Sequence, residues 1–163
     1  PKEGGYTRHF PSGESMTIFD AAERYLTTKT PLIVLAGKSY GQGSSRDWAA
    51  KGPRLLGVGA IIVESYERTH RANLVCMGVL PLTFRPGEGW TQLGLTGEET
   101  FTLRLAPGAE LGPGAIVTVS AKSPDGRERS FDTRCELHSA IELEYYRAGG
   151  VLPYVMRERF HVG

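Results

Sequence analysis

Apolar residues bunch into short runs in the first half of the chain, at residues 32–36, Val58–Val63 and 79–82, with longer mixed segments between them. Runs of this length, rich in β-branched residues and without alternation, predict strands covered on both faces. The segments between them change to helical spacing. Residues 18–25 predict a short helix with Thr17 as its N-cap, followed by a turn at 27–31. After the first strand a glycine loop leads into a helix over residues 44–51 that breaks at Gly52-Pro53, with one more turn at Arg54-Leu55-Leu56. After the second, residues 66–77 predict a helix ended by Gly78 as a C-cap. Strand–helix–strand–helix–strand at this spacing predicts right-handed crossovers and a small parallel sheet with flanking helices.

The second half reads differently. Residues 85–113 are rich in glycine, with a strand at Thr100–Leu105. Strands at 116–121 and 127–132 are joined by Pro124-Asp125-Gly126, the turn chemistry of a hairpin. Residues 136–147 predict a helix with Leu137, Ile141 and Tyr145 on one face, broken by Gly149-Gly150, and residues 152–160 add a last helical turn or two. Residues 1–15 show no clear periodicity and do not open on methionine, so the chain reads as a piece of something longer. With no internal repeat and no linker, residues 1–163 are expected to form one α/β domain, a small parallel sheet supplemented by antiparallel strands.

Composition narrows the function classes. The 163 residues are 40% hydrophobic and 23% charged, with a formal net charge of +1, which gives no global argument for nucleic acid or membrane binding. No apolar run is long enough to span a bilayer, and a cytoplasmic location is expected. Two distant cysteines, Cys76 and Cys135, predict neither a disulfide framework nor an iron–sulfur cluster, which needs about four protein sulfurs. The four histidines, His9, His70, His138 and His161, lack metal-ligand spacing. His9, His138 and His161 are expected at the surface.

The chemistry concentrates in Gly41-Gln42-Gly43-Ser44-Ser45-Arg46-Asp47, between the first strand and its helix. Unpaired first-turn amides and the positive end of the helix dipole attract negative charge there. Gly37-Lys38-Ser39 resembles the end of a P-loop, but the earlier glycine that loop requires is Leu32. The dinucleotide fingerprint fails because its third glycine is Arg46, and Glu64 is then a weak substitute for a ribose-binding acid. There is no Gly-x-Ser-x-Gly elbow. A Ser-Ser-Arg site for an oxyanion or carboxylate remains. Taken alone, the same residues also fit a serine-capped helix with a solvated arginine.

The residues from Gly41 to Gly52 also resemble the signature of the aconitase C-terminal domain. Glu64-Ser65-Tyr66-Glu67-Arg68-Thr69-His70-Arg71-Ala72-Asn73-Leu74 is similar to that family's next helix, and Gly78-Val79-Leu80-Pro81-Leu82 to the strand after it. Phe19 to Tyr25 and Tyr145 to Met156 extend the resemblance over nearly the whole chain. The Asp47-Trp48 pair resembles the cytosolic and bacterial aconitase branch that includes iron regulatory proteins, and 2-methylcitrate dehydratases share it.

The resemblance implies a swivelling domain that closes over a [4Fe-4S] cluster held by other domains, whose iron acts as a Lewis acid on a departing hydroxyl. It implies reversible isomerisation of citrate and isocitrate through cis-aconitate. Ser44 takes the role of the base, and Ser45 and Arg46 bind a substrate carboxylate. The isolated piece is expected to be inactive, its partners being the cluster-bearing domains of the same enzyme or a large subunit. A further substrate-binding arginine of the family falls before Pro1. Other readings stay open: a 2-methylcitrate dehydratase or related hydro-lyase domain, an RNA-binding module, and a small subunit like that of isopropylmalate isomerases. Cys76, where relatives carry glycine, is read as a packing substitution. Arg68, His70 and Arg71 read as a charged helix face that RNA could touch, Lys38 and Tyr40 as possible cleft residues, and Trp48 and Tyr66 as core.

Overall fold

The computed structural model describes residues 4–160. Tyr6–His9 (β1) and Glu14–Thr17 (β2) pair antiparallel as a separate two-stranded sheet, followed by helix α1, Ile18–Thr27. Thr17 caps α1 as expected, its hydroxyl accepting from the Asp20 amide at 3.0 Å. The β1–β2 hairpin is absent from the sequence reading, because its four-residue strands bury little. His9 is the exception: it is buried rather than at the surface, its ring 4.7 Å from that of Tyr25 and Nδ1 2.9 Å from the Ser12 hydroxyl.

The remaining strands are Leu32–Leu35 (β3), Val58–Val63 (β4), Leu80–Phe84 (β5), Thr100–Leu105 (β6), Ile116–Lys122 (β7) and Glu128–Cys135 (β8). They form one six-stranded sheet in the order β3-β4-β5-β8-β7-β6. The first three are parallel and the others antiparallel, joined where Leu82 of β5 faces Cys135 of β8. The chain is therefore α/β, with the expected parallel core and antiparallel strands continuous in a single mixed sheet. The 123–127 turn matches expectation: Gly126 has φ +86° and Asp125 accepts from the Arg127 amide.

Helices α2 (Arg46–Leu55), α3 (Arg68–Cys76), α4 (Ala140–Arg147) and α5 (Val151–Phe160) complete the fold. Alternate residues of β4 feed two apolar clusters. Ala60 and Ile62 join Val75, Leu82, Val119 and Leu137, while Ile61 and Val63 join Ala50, Leu74 and Val79. Full burial of the valine, leucine and isoleucine side chains among them contributes roughly 1.5–3 kcal/mol each.

Every helix departs from expectation at one end or both: α1 runs on to Thr27, α2 begins at Arg46 rather than 44, and α3 begins at Arg68 rather than 66 because Glu67 is its N-cap. Helix α2 does not break at Gly52-Pro53 but runs through Pro53 to Leu55. The proline sits in the last turn, so the helix forfeits its bond to one carbonyl and ends shortly after. Helix α4 starts at Ala140 because Ser139 caps it, and residues 136–138 stay extended, with the Glu136 amide donating to Pro81 O at 2.9 Å. Helix α5 is a full ten residues, with Pro153 in the first turn where a missing N–H costs nothing. Gly78 does follow α3 as a left-handed residue (φ +73°), and a Cβ there would lie 2.5 Å from Gly149 O.

Candidate functional site

The glycine loop leaves β3 at the edge of the sheet and is tied to the segment leaving β4. The Ser39 amide donates to the Ser65 hydroxyl at 2.8 Å and the Tyr40 amide to Ser65 O at 2.9 Å. In return, the Glu67 amide donates to Tyr40 O at 2.8 Å. Tyr66 anchors that segment, its phenol donating to Ile61 O at 2.6 Å and accepting from the Leu82 amide at 3.2 Å. Burial pushes this phenol well above the usual tyrosine range. Tyr66 is thus packed on the core as expected, and Tyr40 is half-buried against it.

Gly41 has φ +93°, and a Cβ there would lie 2.2 Å from the His70 ring. Only glycine fits both the backbone conformation and the close approach. His70 is 1% exposed beneath the loop, its ring 5.3 Å from that of Tyr40. Burial lowers its pKa below the ordinary 6.5, with the Arg46 backbone and Glu67 opposing the shift.

Ser44 and Ser45 are exposed where the loop enters α2. Ser45 occupies the N-cap position with φ −93° and ψ 57°, and its hydroxyl does not cap the helix. The first-turn amides therefore keep their capacity for an anion, with the Asp47 carboxylate in the same turn opposing one. Arg46 is not freely solvated either. Its Nε donates to Gly43 O at 2.9 Å and its Nη1 lies 3.0 Å from Glu67 Oε1. Glu67 caps α3 through Oε2, which accepts from the His70 amide at 2.8 Å, and that bond, with Arg46 nearby, holds the carboxyl below its ordinary range. The serine-capped alternative thus fails, and the arginine, though partly in water, is paired.

Ser44, Ser45 and Arg46 are neighbours by sequence; what the fold adds is Glu67, against Arg46, and His70, against Gly41. The sequence put Glu67 inside the 66–77 helix rather than at its cap, and its contact with Arg46 arises only because β3 and β4 are neighbours. Other expectations fail. Trp48 is 65% exposed rather than core, because Ala50 is the inward residue of α2; Lys51 Nζ stands 4.8 Å from the Trp48 ring centroid. Helix α3 presents no three-residue basic face, since His70 and Arg71 are buried and Arg68 alone is exposed. Arg71 forks onto Glu142 of α4, with Nη1–Oε2 and Nη2–Oε1 both at 2.8 Å, and Nη1 also reaches Glu136 O. Lys38 is exposed and His138 lies 3.2 Å from Glu136. His161 and Pro1 lie outside the described residues.

A cavity of about 660 Å³ opens along the 64–68 segment, lined by Glu64, Arg68, Arg71, Arg85, Arg134 and Glu136 among others. Ser44, Ser45 and Arg46 are not among its lining residues. Among the described residues no group of three or more His, Cys, Asp or Glu side chains is placed to hold a metal. Burial pushes both cysteine thiols up, and two thiols do not fit a [4Fe-4S] cluster. No helix among the described residues is long and apolar enough to cross a membrane.

A family model described as the aconitase C-terminal domain matches residues 1–87. The chain is 53% identical over 156 residues to aconitate hydratase A of Bradyrhizobium diazoefficiens, covering 96% of this chain and 17% of that relative. It is 52% identical over 155 residues to aconitate hydratase A of Escherichia coli, covering 95% and 17%. The chain thus spans about 17% of the length of the curated relatives it matches. Among solved structures, a 3-isopropylmalate dehydratase from Methanocaldococcus jannaschii shares the fold, with a TM-score of 0.52 at 16% identity over 93% of this chain and 84% of that one. With the family model matching residues 1–87 and these relatives about half identical over nearly its whole length, the chain belongs to the aconitase C-terminal domain family.

Proposed function

We propose that this chain is the part of an aconitate hydratase that supplies the base and one carboxylate-binding group for the reversible isomerisation of citrate and isocitrate through cis-aconitate. The observation that supports the reading is the uncapped start of α2: Ser44 and Ser45 are exposed there, Ser45 makes no capping bond, and the next residue, Arg46, has its guanidinium held by Gly43 O and Glu67. Ser44 Oγ takes the proton from the substrate carbon, the C–H electron pair becomes the new C=C bond, and the hydroxyl departs from the adjacent carbon with the C–O pair, as hydroxide for which the cluster of the complete enzyme would supply the Lewis acid. Rehydration returns the proton from Ser44. A serine accepts that proton as alkoxide, which is favoured by open amides, a helix dipole and a nearby cation in a dry site. Ser45 and Arg46 hold a carboxylate, for which a planar fork suits both oxygens. The [4Fe-4S] cluster belongs, in this reading, to other domains of the same enzyme or to a large subunit. The isolated chain is then inactive.

Replacing Ser44 by alanine in the complete enzyme tests this. Turnover of citrate is expected to fall about 100- to 10,000-fold, with KM little changed and the cluster's absorption retained. A rate near wild type would remove Ser44 from the mechanism. Measuring turnover of 2-methylcitrate beside citrate identifies the substrate.

A further inference from the structure

We propose that Glu67 is a positioning residue: it fixes the guanidinium of Arg46 in advance of substrate, an inference that rests on the reading of Arg46 as a carboxylate binder. The guanidinium is held at two of its three nitrogens, Nε by Gly43 O and Nη1 by Glu67 Oε1. Nη2, with both its hydrogens, and the second hydrogen of Nη1 are the donors left for an incoming carboxylate among the described contacts of Arg46, so a two-pronged edge remains.

An ordinary surface ion pair joins two mobile side chains, and this one does not. Glu67 Oε2 accepts from the His70 amide, and the Glu67 amide donates to Tyr40 O on the glycine loop. One residue thus grips the start of α3, the loop and the arginine together. Its side chain is 24% exposed and that of Arg46 36%. Glu67 brings negative charge close to where a negative ligand must bind, which weakens attraction. Its benefit is therefore orientation: a long, rotatable side chain that is already ordered loses less freedom when the ligand arrives. The arrangement links α3, which carries no proposed catalytic group, to the binding step.

Capping and positioning are separable. Serine is a strong N-cap but too short to span to Arg46, so Glu67→Ser preserves the α3 cap and removes the clamp. In the complete enzyme, Glu67→Ser is expected to raise KM for citrate about tenfold, with kcat changing less than about threefold and the thermal midpoint nearly unchanged. Glu67→Gln, which retains an acceptor for Arg46, restores most of the KM. In an Arg46→Lys background, Glu67→Ser is expected to add less than about twofold, because the two residues act as one unit. If Arg46→Lys alone leaves KM unchanged, the carboxylate role of Arg46 fails and the inference goes with it. If Arg46→Lys raises KM and Glu67→Ser does not, or if their effects multiply in full, the positioning role alone is overturned.

Discussion

Helix α3 contributes to two arginine–glutamate pairs built from the same chemistry in opposite settings. Arg71, 7% exposed, forks onto Glu142 with two 2.8 Å contacts and binds a backbone carbonyl besides. Arg46 meets Glu67 through one nitrogen at 3.0 Å, with both side chains partly in water. The buried pair fastens α3 to α4 and closes off its own donors, apart from Nε, which finds no partner. The half-exposed pair does little for stability but leaves donors available for a ligand. Burial separates a structural ion pair from one that can serve a site.

That contrast is most directly broken at Glu142. Glu142→Ala leaves Arg71 charged, buried and without its fork, and chemical denaturation of the 163-residue chain is expected to register a loss of roughly 3–5 kcal/mol. The corresponding truncation Glu67→Ser should leave the same midpoint nearly unmoved; equal losses at the two positions would erase the distinction. A smaller effect is expected at Gly41, where alanine meets a left-handed backbone and the His70 ring at 2.2 Å. Gly41→Ala should cost about 1–3 kcal/mol, with amide exchange accelerating in the 39–46 loop before it does in β7.

The smallest effect is in pH. Burial depresses the pKa of His70 below 6.5, so the unfolded chain binds that proton more readily than the folded one. Stability is therefore full above about pH 6.5 and declines as pH falls from there toward the folded pKa. The lowered carboxyls act only below their ordinary 4.5. Burial opposes ionisation of Glu142, yet the Arg71 fork and the His138 amide outweigh it. At Glu67 the His70 amide leads. Denaturation midpoints between pH 7 and 5 should fall in the wild type and flatten in His70→Gln.

The sequence made some of this legible and hid the rest for physical reasons. Strands β3, β4, β5 and β7 announce themselves through continuous or alternating apolar runs, and the 123–127 turn through its proline and glycine. The juncture of the parallel and antiparallel halves does not, because pairing of Leu82 with Cys135 is a contact between residues remote in sequence. The Ser44–Arg46 loop was readable because its order of glycines, serines and arginine is local. Its supports, Glu67 and His70, were not, and His70 and Arg71 even looked like a solvated face. Trp48 misled for the opposite reason: a large aromatic suggests core, but close packing of α2 on the sheet requires a small residue, and Ala50 takes that place.

The exposure of Trp48 has an optical consequence. Its indole sits in water in the first turn of α2, just beyond Ser44 and Ser45, while Trp90 is 42% exposed elsewhere. Indole emission shifts to shorter wavelength when water is removed, so a surface that packs over the Trp48 indole would shift its emission. The first turn of α2 thus carries its own lamp, whose colour would report the covering of that turn without any substrate being turned over.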